Sequence, residues 1–226
     1  MKKFLFFIVL AGLALGLFLG IRSSVLNNET EEVKEIVVDN TYIGELIMPL
    51  IEADTLNPIL TNNKQVIDIL KLVYEPLFDF DSTNRLNSAL GIDYMEKDDW
   101  TWIITLRKNV KWHSGKSFSA DDVIFTINSI KANEKSIYNN NLKNVNYAEK
   151  LSDDSLAIYL NEKDVNFAYK LTFPIIPDYY FRDSLNDSEK TNRPIGTGAY
   201  KYLNSDDERI VLKFNSEWWK CVNAKL

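Results

Sequence analysis

Residues 100–123 read WTWIITLRKNVKWHSGKSFSADDV, and three kinds of local structure follow one another within them. Trp100, Trp102, Ile104 and Leu106 alternate with Thr101, Ile103, Thr105 and Arg107. Successive side chains of a strand point to opposite faces, so this period of two predicts a half-buried antiparallel strand. Trp112, His113, Ser114, Gly115 and Lys116 make a turn. Ser119 and Asp122 then stand at capping-box spacing, where a hydroxyl and a carboxylate can satisfy the free amides of a new helix. That helix runs to about Ala132, with Val123, Ile127 and Ile130 on its apolar face and Ile124 and Phe125 broadening the buried stripe. A strand, a turn and a capped helix in so short a span predict a mixed α/β (α+β) chain.

The pattern extends in both directions. Toward the N-terminus, Val66, Ile69 or Leu70, and Val73 recur at helical spacing after Thr61, Asn62 and Asn63, predicting a helix near Lys64 to Val73 that Pro76 stops. Residues 77–80 read as a strand ending in the turn 81–84, and a first strand is expected from Glu35 to Val38, extending through Tyr42 to Ile47. Toward the C-terminus, a polar segment from Asn133 to Asn146 precedes the turn 153–155 and a strand from Leu156 to Leu160. A helical stretch near Asn166 to Thr172 stops before Pro174. After Gly196, Thr197 and Gly198, a strand pair is expected at Tyr200 to Leu203 and Arg209 to Phe214, joined by the acidic turn 205–208.

Composition narrows the function classes. With 46% hydrophobic and 26% charged residues the chain can bury a core. A net charge of −6, without clustered Lys and Arg, argues against nucleic acid, whose phosphates need a basic face. The single cysteine, Cys221, excludes an internal disulfide and a cysteine-based zinc site.

Lys2 and Lys3 precede an uncharged apolar run from Phe4 to Ile21. At roughly 1.5 Å of rise per residue it reaches about the thickness of a thin hydrocarbon core. The run is expected to be a hydrophobic helix, serving as a signal peptide or a membrane anchor across residues 1–21. Residues 22–34 come next as a polar linker. Either reading exports the remainder of the chain, by the preference of basic residues for the inner face.

Several groups that could carry chemistry have plainer explanations. His113 is the only histidine, so it has no partner for a triad or a metal site, and bonding to local backbone is the expected role. The carboxylate pairs Asp98–Asp99, Asp121–Asp122, Asp153–Asp154 and Asp206–Asp207 fall in turns or at a helix start. A glycosidase pair instead needs two carboxyls facing each other across a cleft. Gly196, Thr197 and Gly198 lack the further residues of a phosphate cradle and precede a strand, which makes a hinge-side turn the better reading.

Taken together, several segments resemble the bacterial extracellular solute-binding proteins of the oligopeptide, dipeptide and nickel group. Residues 54–58, DTLNP, resemble the family's "xLxP" loop, and residues 73–77, VYEPL, its "xYExL" element. Residues 102–115, WIITLRKNVKWHSG, are similar to "WTFxLRxxVKWHDG", and residues 118–123, FSADDV, to "FTADDV". Residues 194–200, PIGTGAY, resemble "PxGTGPY", and residues 215–219, NSEWW, resemble "NPxYW". Ser114 departs from the aspartate more usual in the signature, and no cysteine near the apolar run is placed to accept a lipid.

The resemblance implies a class II periplasmic-binding-protein-like fold, with 35–76 and 167–226 as the core of lobe I and 77–166 as its inserted subdomain. The second lobe is expected to be missing, making the chain a fragment or a truncated gene product. It implies binding rather than catalysis, outside the cytoplasm, of an oligopeptide or dipeptide passed to the permease subunits of an ABC importer. The protein would be a monomer, membrane-associated through residues 4–21, with no cofactor and no metal. Asn62, Asn63 and Lys64 are the expected contacts to a peptide backbone, and Tyr138 an aromatic wall. Nickel, haem or oligosaccharide ligands stay open within the family, as does a membrane-tethered surface protein without transport activity. The enzyme alternative is a glycoside hydrolase.

Overall fold

The structure, a computed structural model, describes residues 45–50 and 52–223. The expected apolar helix, the linker and the strand at 35–38 lie outside the described residues. Among the described residues no helix is long and apolar enough to cross a membrane.

The strand read from residues 100–107 is the second strand of a four-stranded antiparallel sheet. Its members are β4 (Gly91–Asp98), β5 (Thr101–Leu106), β6 (Val145–Ser152) and β7 (Ser155–Leu160), in the order β4-β5-β7-β6. Trp102, Ile104 and Leu106 are buried, as are Leu156 and Ile158, which pair with Ile104 and Trp102. The alternation fails at its first residue. The strand starts at Thr101, which is buried, while Trp100 lies outside it and is exposed. Thr101 belongs to the cross-strand row Thr101, Tyr159, Tyr147, whose two tyrosine rings stack with centroids 4.3 Å apart.

After β5 the chain turns at Asn109, whose φ of 61° suits a residue that tolerates the left-handed region, and again at Gly115, with φ 88°. The helix predicted from Ser119 runs Ala120–Ala132 and is α2 of the fold. Asp122 Oδ2 accepts the Ser119 N–H at 3.0 Å and the Trp112 indole N–H at 3.2 Å, while Oδ1 accepts the Asp178 N–H at 2.9 Å. One carboxylate therefore caps the helix and ties it to two other segments. Burial pushes its pKa up to about 6, against those three donors, which pull it down. Val123, Ile127 and Ile130 are fully buried, as the periodicity requires.

Two smaller sheets complete the architecture of the described residues. A three-stranded antiparallel sheet has the order β1-β9-β8, from β1 (Glu45–Pro49), β8 (Tyr200–Ser205) and β9 (Arg209–Phe214). A hairpin joins β2 (Phe78–Phe80) to β3 (Leu86–Ser88) around the turn 81–84. The preceding helix, α1 (Lys64–Leu70), ends before the predicted Val73, and the stretch at 166–172 is a short 3-10 turn, Phe167–Lys170.

Asn63 is the N-cap of α1, its side-chain oxygen accepting the Gln65 and Val66 amides at 3.0 and 3.4 Å. Replacing Asn63 with Ala is expected to cost about 1 kcal/mol of stability in urea unfolding, the usual worth of such a cap. A change below about 0.3 kcal/mol would show that the cap contributes nothing.

Candidate ligand-binding site

The site is built around the extended segment after α1, residues 72–77, whose backbone is claimed from both sides. Leu72 and Val73 carbonyls accept the amides of Tyr200 and Gly198 at 3.0 and 2.8 Å, and the Tyr74 hydroxyl accepts the Ile195 amide at 3.2 Å. On the other side Glu75 O takes the Ile175 amide at 3.0 Å, and Pro76 O and Leu77 O take those of Leu90 and Gly91 at 3.1 and 2.8 Å. Past Leu70 the amides of Leu72 and Val73 turn to the carbonyls three residues back, Ile69 and Leu70, at 3.1 and 3.0 Å, so α1 closes in a tight turn before Val73.

The strap over Leu72 and Val73 is Gly196–Gly198. A Cβ added to Gly196 would fall 1.8 Å from Val73 O. His113 fastens the strap. Its Nε2 donates to Gly198 O at 2.9 Å, its Nδ1 accepts the Gly196 N–H at 3.3 Å, and its own backbone N–H donates to Gly196 O at 2.8 Å. The histidine does bond backbone, but not the local backbone that was expected, because its partners lie more than 80 residues further along the chain.

Beside this segment lies a cavity of about 520 Å³, lined among others by Leu70, Tyr74, Glu75, Phe80, Tyr138 and Trp218. Tyr138, expected as an aromatic wall, is one of the lining residues; its ring stands 6.4 Å from that of Phe173, and burial pushes its hydroxyl pKa up. Asn62, Asn63 and Lys64 are not among the lining residues. The Asn62 amide donates to Asp54 Oδ2 at 3.0 Å and Asn63 is spent on its cap. Lys64 borders a separate depression with Met48, Pro49 and Asp68.

The sequence reading missed the cavity's most buried charge. Glu75 is 6% exposed, and its two oxygens accept the indole N–H groups of Trp219 at 2.7 Å and Trp218 at 3.2 Å. Burial pushes its pKa up, outweighing those two indole donors and the nearby Lys220. A lone carboxylate in the otherwise apolar run 73–77 was the available signal. Among the described residues no group of three or more His, Cys, Asp and Glu side chains is placed to hold a metal ion.

Residues 87–226 match the family described as bacterial extracellular solute-binding proteins, family 5 Middle. This chain belongs to that family. The structure of the family 5 chain is similar to that of NikZ from Campylobacter jejuni, solved in complex with Ni(L-His): TM-score 0.66, 30% identity, covering 74% of this chain and 34% of NikZ. It is also similar to CtaP from Listeria monocytogenes, an ABC transporter substrate-binding protein, with TM-score 0.64, 28% identity and 73% and 35% coverage. The oligopeptide-binding protein AppA of Bacillus subtilis is 25% identical over 188 residues, 78% of this chain and 35% of AppA. The family 5 chain thus has a mixed α/β fold matching part of the class II periplasmic binding proteins, and it spans about a third of the length of these relatives.

Proposed function

We propose that this chain supplies one wall of a peptide-binding site, outside the cytoplasm, in an ABC importer. The observation that carries the proposal is the cavity of about 520 Å³ beside residues 72–77, in a member of a solute-binding family. Its lining suits a short peptide. Leu70, Tyr74, Phe80 and Tyr138 offer apolar and aromatic surface for side chains, and Glu75, Asn87 and Ser88 offer polar groups. AppA, a relative, is an oligopeptide-binding protein.

On this reading 35–76 and 167–226 are the core of one lobe and 77–166 its inserted subdomain, and residues 4–21 direct export or hold the protein at the membrane. A second lobe closes on the solute, and the closed form is what the permease subunits receive. Tyr138 is a contact to solute, while Lys64 borders the smaller depression and, with Asn62 and Asn63 just before it in the chain, touches an extended ligand only if that ligand runs so far.

The test is calorimetric titration of the full chain with trialanine. Replacing Tyr138 with Ala should weaken binding about tenfold, or roughly 1.4 kcal/mol, the scale of one aromatic contact. Unchanged affinity would remove Tyr138 from the site, and no binding to the parent chain at any accessible concentration would sink the peptide reading.

A further inference from the structure

One end of the cavity is built from groups that recognise a cation. Glu75 is buried, and each carboxylate oxygen accepts one indole N–H, which leaves lone-pair capacity for another donor. The rings that supply those N–H groups, Trp218 and Trp219, stand nearly edge to face, with centroids 6.1 Å apart and planes at 62°. Lys220 Nζ lies 4.9 Å from each ring centroid and 3.8 Å from Glu75 Oε1. Two electron-rich ring systems and a buried carboxylate around one ammonium make a cation box, in which ring quadrupole and carboxylate charge attract the same group.

Lys220 occupies that box without a close ion pair. A separation of 3.8 Å is too long for a hydrogen bond, so the ion pair lacks the close contact that a buried carboxylate can give. The lysine side chain is 47% exposed and its long stem loses rotamer freedom by staying. Trp218, Glu75 and Lys220 all line the cavity, so an amino group entering it meets the same three side chains. The Arg107 guanidinium, 4.0 Å above the Trp219 ring and drawn by the charge of Glu75, is a second cation at the box, fixed there by its bond from Nε to Ala89 O at 2.9 Å.

We propose that this box receives an ammonium group of the bound solute, and that Lys220 is an internal occupant which the solute displaces. The proposal rests on the reading of the cavity as the solute site, and it narrows the solute class to those carrying a free amine. Displacement has a measurable consequence. Affinity is reduced by the fraction of time the box is already filled, so removing the Lys220 ammonium should strengthen binding.

The test uses the full chain with ¹⁵N-labelled tryptophan, following the indole N–H signals of Trp218 and Trp219 during titration with trialanine, N-acetyl-trialanine and n-butylammonium chloride. Trialanine and n-butylammonium are expected to shift both signals and to bind Lys220→Met about five- to tenfold more tightly than the parent chain. N-acetyl-trialanine, which lacks the ammonium, should leave the signals in place. Equal affinity for acetylated and free trialanine, or no gain on Lys220→Met for either amine, overturns the proposal. If n-butylammonium behaves as expected and trialanine does not bind, the cation box stands and the peptide reading falls. If trialanine binds but acetylation makes no difference, the peptide reading stands and the box falls.

Discussion

Replacing Gly196 with Ala is expected to destabilise the protein by about 3–4 kcal/mol, lowering the midpoint of thermal unfolding by about 10 °C for a chain of this size. The added Cβ would stand 1.8 Å from Val73 O and 2.5 Å from Val73 C, and both are backbone atoms that no rotamer change can move aside. To make room the strap must lift from residues 72–73. That strains the bonds from Gly198 N to Val73 O at 2.8 Å and from His113 N to Gly196 O at 2.8 Å. Gly115 is the control: its φ of 88° also favours glycine, but nothing lies within 4 Å of an added Cβ. Gly115→Ala should cost only about 1 kcal/mol. A Gly196→Ala loss no larger than that of Gly115→Ala, in thermal or urea unfolding followed by circular dichroism, would show that the strap can shift freely.

The second large effect is a pH dependence set by His113. Burial lowers its pKa from the ordinary 6.5 to about 4, aided by the charge of Lys201 and opposed by the bond to Gly198 O. The hydrogen bonds require this protonation state, since Nδ1 accepts from Gly196 N–H and so carries no proton while Nε2 donates. Above pH 6.5 the ring is neutral in both folded and unfolded chains, and its stabilisation is fully present. As pH falls from 6.5 toward 4 the unfolded chain takes up a proton that the folded chain refuses, so the contribution shrinks by about 3 kcal/mol. Other groups titrate in the same range, Asp122 among them with its pKa raised to about 6, so the difference between parent and His113→Gln is the quantity to follow. That gap in unfolding free energy should narrow steadily from pH 7 to pH 4. A gap independent of pH would mean that the ring is as easily protonated in the fold as outside it.

How much of this was legible in the sequence depended on where each residue's partners lie. Strand β5 and the helix Ala120–Ala132 press one face into the core, so burial wrote a period into their side chains, while β7 and β9 are buried at three consecutive residues and read as short apolar runs. Strands β4 and β6 are the edges of their sheet, and apart from Gly91, Val145 and Ala148 their residues are exposed. Their extended form is imposed by backbone pairing with β5 and β7, which leaves no alternation to read. The helix at 64–73 was read too long because Val73 keeps the apolar spacing, although its carbonyl belongs to Gly198.

The candidate site divides in the same way. Tyr138 could be singled out as an aromatic residue in a polar segment. Glu75 stood in full view within residues 73–77, yet its indole partners are 143 and 144 residues away, a distance no local pattern spans. The asparagine at 63 looked like a polar contact because the residue types that bind peptide backbones are also those that cap helices.

On the proposed function, solute enters the cavity beside residues 72–77. The most direct measurement is a map of amide and side-chain NMR shifts in the full chain saturated with trialanine. The large changes are expected on Tyr74, Glu75, Phe80, Tyr138 and Trp218, which line one cavity. Changes confined to the depression around Lys64 and Asp68, or scattered over the exposed edge strands with none at Tyr138 or Trp218, would contradict it.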